Sequence, residues 1–374
     1  MKGLIDSTLR EGSQMVGASF SLDDKLAIVK RVDKIGVEEL EIGVVTRYDR
    51  DLPELIRQCR AAKVQARLAL WSRCRPEDIA CASALKPDVL SLSIPGSDLH
   101  ISKKLNKSRD WVLDRVSGSI KQARESGLGY ISLGIEDATR ADLAFLEEII
   151  ATAQKAGVDR IRLADTVGVA TPLELAGQVT HLKEQFGIEI GVHCHNDFGM
   201  ATANSLAALD GGADWADVTV YGIGERVGNA RLEELAGFLA IRRGQNYDLA
   251  PLKELTREVA LLCGRPLDDH HPVVGSRIFA CETGLHLQGL RREPATYEPY
   301  PPETVGLKRQ ILFGSKTGRL EIEECLKGGK IKLANHEYDR IVGEIRKKTA
   351  TLSYPLQLEG FSALVGKIID LNAV

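Results

Sequence analysis

Aromatic residues make up only 5% of this 374-residue chain, too few to build the stacking platforms on which single-stranded nucleic acids lie. No apolar run approaches the ~18 residues that would read as a membrane span. Charge of one sign is missing as well. Lys plus Arg number 49 against 52 Asp plus Glu, so the net charge is −3, and no bulk field draws the chain to nucleic acid or to a membrane surface. The seven cysteines are scattered without CxxC spacing and are odd in number, in a chain too large to need disulfide staples. A reducing, cytoplasmic setting is expected. The opening MKGLIDSTLR has neither the apolar core of a secretory signal nor the Arg/Ser-rich character of a transit peptide. Partners are therefore expected to be small molecules recognised locally.

What the chain does have is a repeat. Between residues 3 and 243, short apolar runs alternate eight times with longer helical patterns. The runs are Gly3–Leu9, Glu38–Val44, Val64–Leu70, Asp88–Ile94, Tyr130–Glu136, Arg160–Thr166, Ile188–His195 and Trp215–Gly224. Helical stretches between them include Ser21–Ile35, with Asp23 and Asp24 in its first turn, and Thr171–Phe186, entered through Thr171-Pro172. Strands alternating with helices form right-handed βαβ units around a parallel sheet. Eight units in roughly 240 residues fit an α/β fold of the (β/α)8 TIM-barrel type, typically ~250 residues long. The competing architecture is an open doubly wound sheet. It would carry its glycine-rich turn after the first strand, whereas Gly222-Ile223-Gly224-Glu225-Arg226-Val227-Gly228 follows the eighth.

The pattern changes after residue 243. Residues 244–264 read as helix, 265–285 as loop, and 291–306 hold four prolines (Pro294, Pro299, Pro301, Pro302), marking an extended linker. Helical patterns at Asn335–Ala350 and Phe361–Leu371 close the chain. The expected division is a barrel over 1–243 and a linker with a small helical region over 244–374.

Polar residues collect where the barrel strands end, the face on which such barrels carry their chemistry. His193 and His195 lie two apart on a strand and share a face, while Cys194 between them points to the helices. Two neutral imidazoles in a polar mouth, with Glu11 after strand one, suit a divalent metal with positions left open for a substrate. The alternative is one hydrogen-bonded core histidine and one surface histidine. Arg10 is either a cation for developing negative charge or a guanidinium that pairs with an acid to close the barrel end. The amides of the Gly222–Asn229 loop, Gly224 and Gly228 among them, form a possible anion nest for a phosphorylated cofactor, or an ordinary tight turn. His100 reads equally as a mouth residue or a solvated loop residue. The adjacent His270 and His271 diverge, and Lys103, Lys104 and Lys107 read as a solvated charge run that could also meet the phosphates of a cofactor.

Several stretches are familiar in combination: DSTLREGSQ (6–14), GVHCHNDFGMATANSLAAL (191–209), GIGERVGNARLEEL (222–235), ETGLHLQGL (282–290) and TYEPYPPETVG (296–306). In order and over nearly the whole chain, they resemble the DRE-TIM metallolyase superfamily, in its homocitrate synthase and isopropylmalate synthase branch. SLGIEDATRADLAFL (132–146) is most similar to the nitrogen-fixation type of homocitrate synthase. The resemblance implies a metal-dependent Claisen condensation of acetyl-CoA with a 2-oxo acid, 2-oxoglutarate foremost, in a homodimer that exchanges its linkers. Isopropylmalate, citramalate and Re-type citrate synthesis, a metal-dependent hydroxyacyl-CoA lyase and a non-catalytic scaffold are the alternatives.

Residue by residue, the resemblance makes Glu11, His193 and His195 ligands of the metal, with Asn229 a direct or water-linked fourth group. The metal itself stays open among Mn, Mg, Zn, Fe and Co. Arg10 matches the catalytic arginine, Thr166 a residue contacting the oxo acid, and Glu41 and Glu136 acidic residues of the pocket. His286 matches the catalytic histidine of the linker, and Tyr297 a tyrosine near it. Gly224, Gly228 and Asn229 fall where a phosphorylated cofactor would be held. Two departures bear on the substrate: Ser132 stands where lysine-pathway homocitrate synthases carry an arginine for the distal carboxylate, and Gly314-Ser315-Lys316-Thr317-Gly318 lacks the histidine of the usual GKHSG-like segment.

Overall fold

The computed structural model describes residues 1–46, 51–327, 333–352 and 354–369. They fall into two compact units, Met1–Leu267 and Asp268–Val374.

In the first unit eight parallel strands close into a barrel in sequence order. They are β1 Gly3–Asp6, β2 Glu39–Val44, β3 Arg67–Arg73, β4 Val89–Pro95, β5 Ile131–Glu136, β6 Arg160–Asp165, β7 Glu189–Cys194 and β8 Trp215–Val218. The crossover helices are α1 Leu22–Ile35, α2 Leu52–Ala61, α3 Pro76–Leu85, α4 Arg109–Glu125, α5 Leu143–Ala156, α6 Pro172–Phe186, α7 Ala201–Asp210 and α8 Leu232–Arg243. Local chemistry sets the helix starts. Ser21 and Thr171 cap α1 and α6 through reciprocal boxes with Asp24 and Glu174. Gly36, Gly157, Gly187 and Gly244 end four helices in the left-handed conformation.

Three strands depart from the sequence expectation by three residues or more at an edge, and the other five by a single residue. β1 stops at Asp6, whose carboxylate accepts from the Thr8 amide at 3.2 Å and from its hydroxyl at 2.8 Å, turning the chain out of the ladder. β8 stops at Val218, because a tight turn with Tyr221 at φ 61° replaces the expected extension to Gly224. β3 starts at Arg67 rather than Val64, because α2 is followed by a turn through Lys63 at φ 56°.

The expected boundary after residue 243 is also displaced. α9 (Leu252–Leu262) belongs to the barrel unit. The connecting segment is tied to α1 by the Asp248 amide donating to the Ile35 carbonyl at 2.8 Å, and α9 itself by the Arg31–Glu258 ion pair.

The barrel interior is polar in layers. Near the floor, the fully buried Arg160 donates to both oxygens of the fully buried Glu39 at 3.0 and 2.6 Å, and Arg67 adds a third bond to Glu39 at 2.8 Å. One pleat higher, Arg162 donates to Glu41 at 2.9 Å. Residues i and i+2 on β2 and on β6 thus form two stacked ion pairs across the barrel.

The second unit holds a two-stranded parallel ribbon, β9 Ala280–Cys281 with β10 Gln310–Ile311. It also contains α10 Gly284–Arg292, α11 Arg319–Lys327, α12 Asn335–Leu352 and α13 Leu358–Ile369. Its core joins Phe313, Ile322, Ile341, Ile345 and Phe361, and the Phe313 and Phe361 rings stack at 3.9 Å. The expected terminal helix reached Leu371, and residues 370–371 lie outside the described residues. No helix among the described residues is long and apolar enough to cross a membrane.

Candidate active site at the barrel mouth

A cavity of about 350 Å³ opens at the carboxyl ends of the strands. Its walls include Arg10, Glu11, Glu136, Arg162, Thr166, His193 and His195. Glu11 arrives through the turn after β1, where the Arg10, Glu11 and Gly12 amides all donate to the Ser7 carbonyl. His193 stands at the upper end of β7 and His195 just beyond it. Cys194 points the other way, and burial pushes its thiol up to about 12.

Among the described residues, Glu11, His193 and His195 are all buried and offer ligand atoms within 4.8 Å of one another. The imidazoles meet edge to face at 5.0 Å, and His195 Nε2 lies 3.7 Å from Glu11 Oε1. Asp217 on β8 sets the tautomer of His193. Its Oδ2 is 3.0 Å from Nδ1, so Nδ1 carries the proton and Nε2 keeps its lone pair. Burial, reinforced by His193, pushes His195 down to about 3, which keeps it neutral. Burial raises the Glu11 pKa, but Arg10 and the two histidines outweigh it and hold the carboxyl below its ordinary range.

The donor set fits a divalent cation. Among the described residues, Glu11 Oε1 and Asn229 Oδ1 are buried without a hydrogen-bond partner, as is His195 Nδ1. Two oxygens with lone pairs and no donor, beside a neutral imidazole, are costly unless a cation completes them. Asn229 joins this set through an isolated bridge to His195, with its Nδ2 donating to the Ile223 carbonyl at 3.1 Å.

Arg10 is wedged between acids. Its Nε donates to Glu41 at 2.5 Å, and its Nη1 pairs with Glu11. Burial works against this charge, yet Glu41 and Glu11 more than offset it and raise the pKa, so the guanidinium is a fixed cation. Burial likewise opposes the Glu41 charge, and Arg10 and Arg162 overcome it, keeping the carboxyl far below its usual range. Glu136, at the end of β5, accepts from Ser93 at 2.9 Å and from Lys104 at 2.7 Å. Lys104 comes from a π-helical turn, His100–Lys104, whose His100 lies 3.9 Å from Glu136. Thr166 uses its hydroxyl to accept the Asp137 amide at 2.8 Å.

Other expected residues lie elsewhere. Ser132 is fully buried below Gly134 on β5, accepting from Arg160 at 3.1 Å in the barrel floor, and is not on the cavity wall. The amides of Gly228 and Asn229 are not free to cradle an anion, because they donate to the Glu225 and Gly222 carbonyls at 3.0 Å each. Gly228 is needed for fit: at φ 93°, a Cβ there would lie 1.8 Å from the Gly222 carbonyl oxygen. Gly224 faces Asn229, whose Nδ2 would be 2.0 Å from a Cβ. In the second unit, His286 on α10 is exposed, with its ring 4.4 Å from that of Tyr297. His270 is exposed and His271 buried, as adjacent divergent residues should be.

Arg162 and Asp217 escaped the sequence reading, although a signal for Arg162 was present. A parallel barrel strand buried on both faces should be apolar, yet β2 reads ELE and β6 reads RIR, complementary charges at matching spacing.

A closed barrel with a carboxylate, two imidazoles and a fixed arginine at its mouth belongs to the class of TIM-barrel enzymes with a candidate metal centre. Two family models divide the chain: HMGL-like over residues 3–259, and homocitrate synthase post-HMGL domain-like over 273–352. A 2-isopropylmalate synthase of Caldanaerobacter subterraneus subsp. tengcongensis is 38% identical, covering 94% of this chain and 92% of its own length. A homocitrate synthase of Frankia alni is 37% identical, covering 86% and 92%. An (R)-citramalate synthase of Methanocaldococcus jannaschii is 37% identical, covering 93% and 71%. The chain therefore belongs to the HMGL-like family of DRE-TIM metallolyases, in the homocitrate and isopropylmalate synthase branch. It is an enzyme of the acyltransferase kind. The barrel fold is shared with the hydroxymethylglutaryl-CoA lyase of Pseudomonas aeruginosa, at a TM-score of 0.62 and 18% identity over 70% of this chain and 93% of that one.

Proposed function

We propose that the protein condenses acetyl-CoA with a 2-oxo acid, 2-oxoglutarate foremost, to give homocitrate and CoA. The observation that carries this reading is the grouping of Glu11, His193 and His195 beside the buried cation Arg10 in a single cavity. Glu11, His193, His195 and Asn229 would hold a divalent metal, which when bound supplies a Lewis acid for the keto oxygen of the oxo acid. Asp217 holds the His193 ring in its ligating tautomer. Thr166 and Arg10 contact the oxo acid, and Arg10 offsets the negative charge that develops as the acetyl methyl group gives up a proton. His286 of the partner subunit takes that proton, with Tyr297 beside it in the same linker. The methyl carbon then bonds to the keto carbon as the C=O π bond opens, the resulting alkoxide takes up a proton to become the hydroxyl group, and water cleaves the thioester to release CoA and the carboxylic acid. Glu41 and Glu136 keep Arg10 and Lys104 in place around the pocket. Such an enzyme works as a homodimer in the cytoplasm.

The test is thiol release from acetyl-CoA with 2-oxoglutarate, 2-oxoisovalerate, pyruvate and oxaloacetate in turn, with the product of each identified by mass. Homocitrate as the fastest product supports the reading. Preference for 2-oxoisovalerate, pyruvate or oxaloacetate would assign isopropylmalate, citramalate or citrate synthesis instead, and no release with any acid would remove the condensation itself.

A further inference from the structure

Among the described residues, three cations line the cavity: Arg10, Lys104 and Arg162. Two are occupied on the sides they present. Arg10 is held by Glu41 and Glu11, and Lys104 by Glu136. Arg162 differs. Its two partners, Glu41 Oε1 at 2.9 Å and Asp217 Oδ2 at 3.0 Å, both bind the same nitrogen, Nη1. The opposite edge, formed by Nε and Nη2, is the parallel N–H fork that matches a carboxylate with two bonds.

That fork faces Gly134 on β5. A Cβ at Gly134 would stand 3.3 Å from the Leu92 carbonyl oxygen, 3.7 Å from Nε and 3.9 Å from Nη2, so the glycine keeps a methyl group from crowding both the neighbouring strand and the fork. Gly134 is itself part of the cavity wall, together with Ser93 and Ala164, both small. Arg162 is also close to the candidate metal centre: its Nη1 and the Nδ1 of His193 each sit 3.0 Å from one oxygen of Asp217. A five-carbon 2-oxo dicarboxylate spans about 5 Å end to end, from four carbon–carbon bonds of about 1.5 Å each. Such a molecule has a 2-oxo acid head for the metal centre and a second carboxylate for the fork.

We propose that Arg162, through the Nε/Nη2 edge that Gly134 leaves open, binds the distal carboxylate of a dicarboxylic 2-oxo acid and so determines substrate choice. The inference rests on the condensation reading and adds the residue that selects among oxo acids. A three-carbon or branched apolar oxo acid leaves this buried fork without a partner, and sites built for a polar group discriminate strongly against ligands that lack it.

The experiment compares kcat/KM for 2-oxoglutarate and for 2-oxobutyrate, with acetyl-CoA and metal saturating, in the wild type, Arg162→Gln and Gly134→Ala. Arg162→Gln also removes a partner of Glu41 and Asp217. Gly134→Ala therefore serves as the second variant, because it fills the space while leaving the Arg162 ion pairs in place. The wild type should prefer 2-oxoglutarate. In both variants the ratio of the two kcat/KM values should fall, by about a hundredfold in Arg162→Gln and about tenfold in Gly134→Ala. The loss should appear mainly as a higher KM for the dicarboxylate. A wild type that prefers 2-oxobutyrate, or a ratio unchanged in both variants, overturns this assignment while leaving the condensation standing. Absence of thiol release by the wild type with these two acids overturns this assignment, and absence with every acid of the panel above removes the condensation as well.

Discussion

The ion pair in the barrel floor allows a stability prediction that can be worked through. Arg160 and Glu39 are both fully buried. Glu39→Leu strands the guanidinium of Arg160 with a single hydroxyl, that of Ser132, and the faces of the Tyr130 and Trp215 rings at 5.5 and 5.1 Å. A guanidinium cannot shed its proton, so the cost should reach the top of the range for a broken buried pair, about 5 kcal/mol. Arg160→Met should cost less. The carboxylate left behind keeps its bond from Arg67 at 2.8 Å. The double variant Glu39→Leu/Arg160→Met removes both charges and should lie within about 2 kcal/mol of the wild type. Urea unfolding followed by tryptophan fluorescence gives all three values, and Trp215 reports from beside the pair. A double variant as unstable as the sum of its parents, or a Glu39→Leu cost below about 1 kcal/mol, would refute the reasoning.

Three further outcomes follow from the same geometry. Burial pushes Asp6 up to about 7, above its value in the unfolded chain, so the native state holds this proton longer and stability falls as pH rises from about 4 to 7. Asp6→Asn, which cannot ionise, should gain over the wild type across that window by up to about 4 kcal/mol, measured in metal-free protein at pH 5 and pH 8; an equal difference at both would contradict it. Asp217→Asn should weaken metal binding about 10- to 100-fold in a competitive chelator titration, because His193 loses the partner that fixes its tautomer. Gly228→Ala places a methyl group against the Gly222 carbonyl at a positive φ, and should destabilise the protein by about 2 kcal/mol or more in the same urea assay.

The barrel was legible because its signal is redundant. Eight alternations, capping residues such as Ser21 and Thr171, and polar strand ends all point to one architecture. The cluster at the mouth was legible for a simpler reason: the period-two rule places His193 and His195 on one face without any tertiary knowledge. What stayed hidden depends on contacts across the barrel. That the amides of Gly228 and Asn229 close their own loop, and that Ser132 is claimed by Arg160, follow from partners distant in sequence or from backbone turns that residue types do not specify. The attachment of the segment after α8 to α1 rests on two contacts more than 200 residues apart in the chain, which no local pattern reveals.

The most direct test of the account uses protein stripped of metal by a chelator. Thiol release from acetyl-CoA with 2-oxoglutarate should be absent until one equivalent of a divalent metal per chain is restored, and His195→Ala should remain inactive at that metal concentration. Release by the stripped protein, or by His195→Ala at the wild-type rate, would contradict it.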